Sequence, residues 1–258
     1  MTDTSFYRSN AIILKSEPLR STSMRFIFHT EEFGRIIASL KGFFKNKAYI
    51  TMPVSPGTEV ELVFFNTRKN SMMMVKEINL LSVPRVKNFN HLASLQYFIE
   101  FMLNVTTDTL REHNAIYKLF ISLKDLIVEV DDELSLLFAT AYAHEIIALK
   151  ILGFLSSPDE CAVCGIKTPE TYFLISDMSF CCRKCSQGKK NILISLEICS
   201  FISTLMKDNI TPKRLRSLFS KIKLSNNQFH ELQILLKHLT HGVFGHDFRS
   251  SKILSAKQ

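Results

Sequence analysis

The sequence predicts an α+β protein, in which a small N-terminal β-barrel precedes a helical domain that carries an inserted cysteine module. Apolar residues alternate with a period of two up to about residue 82. After Pro84 they recur with the helical period of 3.6 instead. Two Cys-x-x-Cys pairs interrupt the helical part. We therefore predict domains at 1–82 and 83–258, with the insertion at about 159–190.

The N-terminal part contains five short apolar segments, separated by turn residues, and the alternation is most evident in 24–29 and 60–65. These predicted strands are 11–14, 24–29, 35–40, 60–65 and 72–78. We predict no crossover helix between them, which favours an antiparallel barrel or sandwich. Five strands in about 75 residues favour an OB-type barrel, a fold whose surface often binds nucleic acid.

The part after Pro84 shows helical apolar faces, and one of them is unusual. From 134 to 152 apolar residues occur almost all round the helix, which predicts a central, buried position. His144 on this helix is predicted to be a core residue. Ser195, Thr211 and Ser225 are predicted helix N-caps, and Ser225 begins a capping box.

The cysteine pairs are the most specific chemical signal in the chain. Cys161 and Cys164 form the first pair, and Cys182 and Cys185 the second, with seventeen residues between them. This spacing predicts a tetrahedral four-sulfur site for one structural zinc ion per chain, since four thiolates leave no open position for a substrate. The alternative is a chance cluster of free or disulfide-bonded cysteines. Cys181 competes with Cys182 as the third ligand, although the two-residue spacing favours Cys182.

Charge is distributed unevenly along the chain. Residues 1–82 carry net +4, 83–160 carry −5 and 161–258 carry +9, for a total of +8. Basic ends indicate surfaces that face a polyanion, although ordinary solubilising lysines would give the same excess. The N-terminus lacks the features of a signal peptide, and no uninterrupted apolar stretch is long enough to span a membrane. We expect a soluble cytoplasmic protein without a membrane partner.

A basic loop after the third predicted strand is the strongest nucleic-acid signal. Lys41, Lys45 and Lys47 alternate with Phe43 and Phe44, so ammonium groups could meet phosphates while the rings stack on bases. The alternative is that the two phenylalanines fill the barrel and the lysines are merely exposed. The predicted phosphate-binding residues are Arg35, Lys41, Lys45, Lys47, Arg68 and Lys69.

No catalytic motif is recognisable in the chain. His144-Glu145 begins a sequence like HExxH, but Ala148 stands where the second histidine is required. Phosphate-binding glycine loops and the GxSxG nucleophile motif are absent from the sequence. We therefore predict that the protein is not an enzyme. Two alternatives are a zinc-ribbon nucleic-acid binder of transcription or translation, and a hydrolase whose residues are too scattered to recognise.

Several motifs occur in a fixed order along the chain: Ala11-Ile12-Ile13-Leu14, Thr30-Glu31-Glu32-Phe33-Gly34-Arg35, Lys41-Gly42, the segment 149–154, the cysteine pairs and the segment 248–254. Together they resemble the RecO family of bacterial recombination mediators. The resemblance implies a non-enzymatic protein that binds single- and double-stranded DNA through its OB barrel and anneals complementary strands. It further implies that RecR and the C-terminal tail of single-stranded DNA-binding protein (SSB) are partners, and that the protein helps to load RecA onto SSB-coated DNA. Its expected location is the cytoplasm, at the nucleoid during repair.

Overall fold

A computed structural model describes residues 5–66, 72–107, 111–130, 133–207, 212–219 and 224–250. The strands are β1 (Phe6–Leu19), β2 (Ser23–Thr30), β3 (Gly34–Leu40), β4 (Glu59–Phe65), β5 (Met73–Ser82), β6 (Thr171–Leu174), β7 (Ser179–Cys182) and β8 (Asn191–Ile194). The helices are α1 (Lys47–Ile50), α2 (Phe89–Val105), α3 (His113–Ile127), α4 (Leu134–Ile151), α5 (Arg183–Ser186), α6 (Leu196–Leu205), α7 (Pro212–Phe219) and α8 (Asn226–Phe244). This order confirms the predicted α+β class.

The first five strands form a closed barrel in the order β1-β2-β3-β5-β4, as predicted for an OB-type fold. The long strand β1 pairs with β4 through Phe6–Ile12 and with β2 through Ala11–Leu19. Antiparallel pairing joins every neighbouring pair except β3 and β5, which run parallel. Closure is possible because β1 is long enough to serve two neighbours.

The barrel interior is filled by the apolar residues that alternate along each strand. Phe26 and Phe28 of β2, Ala38 of β3 and Leu62 of β4 are fully buried there, and Phe64 is almost so. Burial of an aromatic or branched side chain contributes about 1.5–3 kcal/mol. The two-residue period that predicted the strands therefore also identifies the barrel core.

One connection contains short elements for which the sequence analysis made no prediction. Between β3 and β4 the chain forms a 3-10 turn at Phe43–Lys45 and the single helical turn α1, which is too short to be a crossover helix. Tyr49, Met52 and Val54 of this connection pack against the barrel core. A one-turn helix is too short to show a helical period, so its sequence gives no warning of it.

Helix α4 is central, as its apolar sequence predicts. Every residue from 137 to 149 is buried. By length and composition alone α4 could cross a membrane, but 72% of that span is buried inside the protein, as in a core helix. The Nδ1 of His144 lies 2.7 Å from the carbonyl of Thr140, and burial lowers the His144 pKa to about 4. His144 is therefore a neutral core residue, as predicted.

Predicted helix caps are present where the structure describes them. The Ser195 hydroxyl accepts a hydrogen bond from the backbone N–H of Ile198. Ser225 and Gln228 form the complete capping box at the start of α8. Thr211 lies outside the described residues. Capping contributes about 1 kcal/mol per helix because it satisfies N–H groups that have no partner within the helix.

The described chain divides into two compact units. One comprises residues 1–87 and 98–124, and the other comprises 88–97 and 125–258. The first unit thus contains the barrel together with parts of α2 and α3. Units defined by proximity differ from domains defined by independent folding, so the division at residues 82 and 83 stays a prediction.

Candidate nucleic-acid interface and metal centre

Residues 41–47, here called the lysine segment, lie at one end of the β2–β3 pair. Leu40 at the end of β3 pairs with Met24 at the beginning of β2, next to the β1–β2 turn. The backbone N–H of Phe44 donates to the carbonyl of Thr22 in that turn at 3.2 Å. Gly42 has φ +71°, a left-handed conformation that glycine adopts without steric cost. The lysine segment and the β1–β2 turn therefore form one end of the barrel.

The two phenylalanines of the lysine segment have different environments. Phe43 is 3% exposed and packs inside the barrel, with its ring centroid 6.1 Å from that of Phe26. Phe44 is 39% exposed. The sequence left open whether the rings fill the barrel or face a ligand. Phe43 fills the barrel, and the exposed ring of Phe44 is available to a ligand.

All three lysines of the segment are exposed. None of them forms an ion pair with a carboxylate among the described residues. Surface lysines without acidic partners keep their full positive charge available to a polyanion. Lys41, Lys45 and Lys47 thus lie exposed in one short segment, and their role in binding a phosphate backbone stays a prediction.

Arg20 is a basic residue that the sequence reasoning missed. It is exposed in the β1–β2 turn, at the same end of the barrel as the lysine segment. Its φ of +59° is uncommon for a residue with a side chain. The signal that could have identified it is its place between the first two strands, because that loop often joins the ligand-binding surface of OB barrels.

Arg35 lies elsewhere, contrary to the prediction that it shares one surface with the lysines. It pairs with His29 near the opposite end of the β2–β3 pair, about 17 Å along β3 from Leu40. Its guanidinium donates to the carbonyl of Leu103 in the last turn of α2 at 3.3 Å. This position favours a cation because the helix C-terminus carries a partial negative charge. The structure therefore gives Arg35 a helix-capping partner and does not place it beside the lysine segment.

The remaining predicted phosphate contacts, Arg68 and Lys69, lie outside the described residues. They belong to the connection between β4, which ends at Phe65, and β5, which begins at Met73. Their role in binding stays a prediction.

The four predicted zinc ligands converge in the inserted module. The Sγ atoms of Cys161, Cys164, Cys182 and Cys185 all lie within 4.8 Å of one another, and those of Cys164 and Cys182 are 3.9 Å apart. Tetrahedral zinc with Zn–S bonds of about 2.3 Å places its sulfurs about 3.8 Å apart. Small side-chain movements would thus complete a four-sulfur shell, and the donor set fits a structural zinc ion.

Strand geometry separates Cys181 from Cys182. Cys181 pairs with Tyr172 and Cys182 with Thr171, so their side chains begin on opposite faces of the small sheet β7-β6-β8. Within the described chain, the group of converging sulfurs contains Cys182 and not Cys181. Cys181 is fully buried in the apolar cluster of the module. This geometry supports the ligand that the two-residue spacing favoured.

The surroundings of two of the four thiols, those of Cys161 and Cys185, shift their pKa values in opposite directions. Burial raises the pKa of Cys161, but hydrogen bonds from the backbone N–H groups of Cys182, Cys164 and Val163 outweigh it and lower that pKa to about 6. The hydrogen bond with Cys182 raises the pKa of Cys185 to about 12. Ionisation of the Cys161 thiol is therefore favoured, whereas ionisation of the Cys185 thiol is opposed by its neighbours. A bound divalent cation would remove that opposition.

Sequence comparison decides the family. Residues 86–252, well over half of the chain, match the family model described as "Recombination protein O C terminal". The chain belongs to the RecO family. This membership assigns it to DNA repair and recombination. The resemblance inferred from its motifs is confirmed.

Individual RecO proteins are similar over most of their length. A protein named DNA repair protein RecO from Syntrophomonas wolfei is 23% identical over 251 residues, which cover 97% of this chain and 96% of the relative. Its counterpart from Caldanaerobacter subterraneus is 25% identical over 209 residues, or 78% and 81% of the two chains. That from Thermodesulfovibrio yellowstonii is 20% identical over 244 residues, or 93% and 94%. The similarity thus spans the barrel as well as the helical part.

Proposed function

We propose that the protein is a non-enzymatic recombination mediator. In this role it binds single- and double-stranded DNA, anneals complementary strands and, together with RecR, helps to load RecA onto SSB-coated single strands. The expected partners are DNA, RecR and the SSB C-terminal tail, and the expected place of action is the cytoplasm, at the nucleoid during repair. RecO-family membership supports the proposal.

The observation that carries the DNA-binding part is the exposed lysine segment at one end of an OB-type barrel. Lys41, Lys45 and Lys47 lack described acidic partners and are joined at this end by Arg20. Phosphate contacts of this kind are independent of sequence, which suits a mediator that must act on any DNA. Arg68 and Lys69 are proposed as further contacts.

We further propose that the cysteine module holds one structural zinc ion through Cys161, Cys164, Cys182 and Cys185. Zinc bound there would fix the first Cys-x-x-Cys turn against β7. The backbone N–H of Ala162 already donates to the carbonyl of Phe180 across this junction at 2.8 Å. Four protein ligands leave zinc no position for a substrate, in keeping with a non-enzymatic role.

The salt dependence of DNA binding tests the lysine segment. Each phosphate neutralised on single-stranded DNA contributes about −0.7 to the slope of log K against log salt. The triple substitution of Lys41, Lys45 and Lys47 by Ala should therefore make the slope less steep by roughly two, if each lysine contacts one phosphate. Affinity for all sequences should fall alike, and the fold should survive because exposed substitutions cost under about 0.5 kcal/mol each.

Arg35→Ala provides a contrast, since Arg35 bonds to α2 instead of lying beside the lysines. It should lower thermal stability and leave the salt slope unchanged. An unchanged slope in the folded triple-lysine variant would contradict the proposed interface and would move the search to the C-terminal third, which carries net +9. Strand annealing on SSB-coated DNA, with and without RecR, tests the mediator role itself.

A further inference from the structure

One aromatic ring stands out at the lysine-segment end of the barrel. Phe44 is 39% exposed, whereas its neighbour Phe43 is 3% exposed. Single exposed apolar side chains are common and need no explanation by themselves. Phe44 differs because Lys41, Lys45 and Lys47, all exposed, flank it in the chain.

The position of Phe44 is fixed from two directions. Its ring meets that of Phe43 edge to face, at a centroid distance of 5.2 Å and an interplanar angle of 84°. Its backbone N–H donates to the carbonyl of Thr22. Phe43 is itself held by Phe26 inside the barrel and by Tyr49, whose ring lies parallel at 6.2 Å. The exposed ring thus rests on a packed support, which lowers the entropic cost of using it to bind a ligand.

The chemistry around the ring suits an unpaired base. Ammonium groups hold the phosphates of a nucleic acid, and an exposed aromatic ring offers a face on which a base can stack. In a duplex the base faces are already stacked on one another, so the ring can add little binding energy to a duplex. In a single strand those faces are free.

We propose that Phe44 stacks on a base of single-stranded DNA and gives this end of the barrel its preference for single strands over duplex. The proposal rests on the DNA-binding function proposed above. The lysines then supply affinity for either form, and Phe44 supplies the discrimination between them. Stacking contributes about 1–3 kcal/mol per base by alanine substitution, which corresponds to a factor of roughly 5–150 in affinity.

A tryptophan probe tests the stacking directly. The chain contains no tryptophan, so Phe44→Trp introduces a single reporter at the proposed contact. Its fluorescence should be quenched by oligothymidylate. An abasic oligonucleotide of the same length and charge should bind through its phosphates with little quenching, and duplex should also give little. Equal quenching by all three would overturn the proposal.

Affinity measurements provide the second test, with Phe154→Ala as the matched control. Phe154 is also exposed, at 43%, but lies outside the lysine segment. Phe44→Ala should weaken binding of single strands at least five-fold and leave duplex affinity and the salt slope unchanged, while Phe44→Tyr, which keeps a ring, should restore the affinity. Phe154→Ala should change neither.

The outcomes separate this proposal from the interface on which it rests. If the triple lysine variant flattens the salt slope but Phe44→Ala has no effect, the lysines contact DNA and the stacking proposal is wrong. If Phe44→Ala weakens single strands and duplex equally, the ring provides no discrimination and the proposal is likewise wrong. If neither variant changes binding, the proposed interface fails as a whole. Circular dichroism of each variant establishes that it is folded.

Discussion

A buried ion pair on the barrel unit gives a sharp stability prediction. The Lys124 ammonium donates to Oε2 of Glu59 at 2.8 Å, and the two side chains are only 8% and 18% exposed. The Tyr117 hydroxyl donates to Oε1 of the same carboxylate at 2.7 Å, and the Ser82 hydroxyl donates to Oε2 at 2.8 Å. We expect the substitution Lys124→Met to leave this largely buried carboxylate without its cation.

The expected loss in the free energy of unfolding follows from the surroundings of Glu59. Removing one partner of a buried ion pair typically costs about 3–5 kcal/mol. Because Tyr117 and Ser82 still donate to the carboxylate, we expect a value near the lower end, about 3 kcal/mol. Lys15→Met is the control, since Lys15 pairs with Glu17 at 2.8 Å but both side chains are exposed. Such exposed pairs contribute about 0–1 kcal/mol.

The pH dependence identifies the carboxylate. Burial raises the pKa of Glu59, but the hydrogen bonds from Lys124, Tyr117 and Ser82 outweigh it and hold that pKa below its ordinary value. A lowered folded-state pKa gives stability that is present above the unfolded-state pKa and is lost as pH falls through the folded-state value. The difference in the free energy of unfolding between wild type and Lys124→Met should therefore be largest near pH 7 and should decrease below about pH 4.5.

Urea unfolding followed by circular dichroism, at intervals from pH 7 down to pH 3, measures this difference. The midpoint should shift while the slope m stays constant. A loss no larger than that of Lys15→Met, or a loss independent of pH, would refute the reasoning.

Two further predictions concern the other unit. Cys182→Ser should lose both zinc and thermal stability, because zinc binding and folding of such a module are coupled, whereas Cys181→Ser should retain its zinc. Metal analysis and thermal melting test this prediction, and native protein that contains no zinc would contradict it. Burial raises the pKa of Glu145, which accepts a hydrogen bond from Tyr97, to about 8, so the folded state holds a proton that the unfolded state releases above about pH 4.5. The free energy of unfolding should therefore fall as pH rises from about 4.5 to 8. Glu145→Gln, which stays neutral, should remove this decline and be more stable than the wild type at pH 8 by more than about 1.4 kcal/mol, the equivalent of one pKa unit. Thermal melts across this pH range would refute the prediction if the two proteins change in parallel.

Local patterns predicted the parts of this protein that depend on local chemistry. Period-two segments located the five barrel strands, and the apolar circumference of α4 predicted its burial. The Cys-x-x-Cys spacing predicted four converging sulfurs because each pair is held by local backbone structure. Cys161 and Cys164 lie in a turn closed by the hydrogen bond from the Gly165 N–H to the Cys161 carbonyl. Cys182 caps the one-turn helix α5, which contains Cys185. In these cases the residues that carry the signal are also those that make the contact.

The features that the sequence misplaced, left open or missed depend on contacts between segments distant in the sequence. Arg35 lies in β3, the predicted third strand, but the carbonyl to which it donates belongs to Leu103, 68 residues later. Phe43 and Phe44 are chemically identical neighbours, and only the closed barrel decides which ring is inside. Arg20 lies in a turn whose sequence carries no motif. A backbone hydrogen bond between Phe44 and Thr22 places that turn beside the lysine segment.

The order of strands in the barrel also has a consequence for synthesis. β5 is the last of the five strands in the chain, yet it lies between β3 and β4. A nascent chain that has emerged only as far as β4 therefore carries two strands with unpaired edges, which can join to other chains. The barrel can close only after β5 has left the ribosome, and among the described residues β5 pairs with β3 through Ala38 with Met73 and Ser39 with Met74. Slow translation between β4 and β5 would thus prolong the stage at which the edges of β3 and β4 are unpaired.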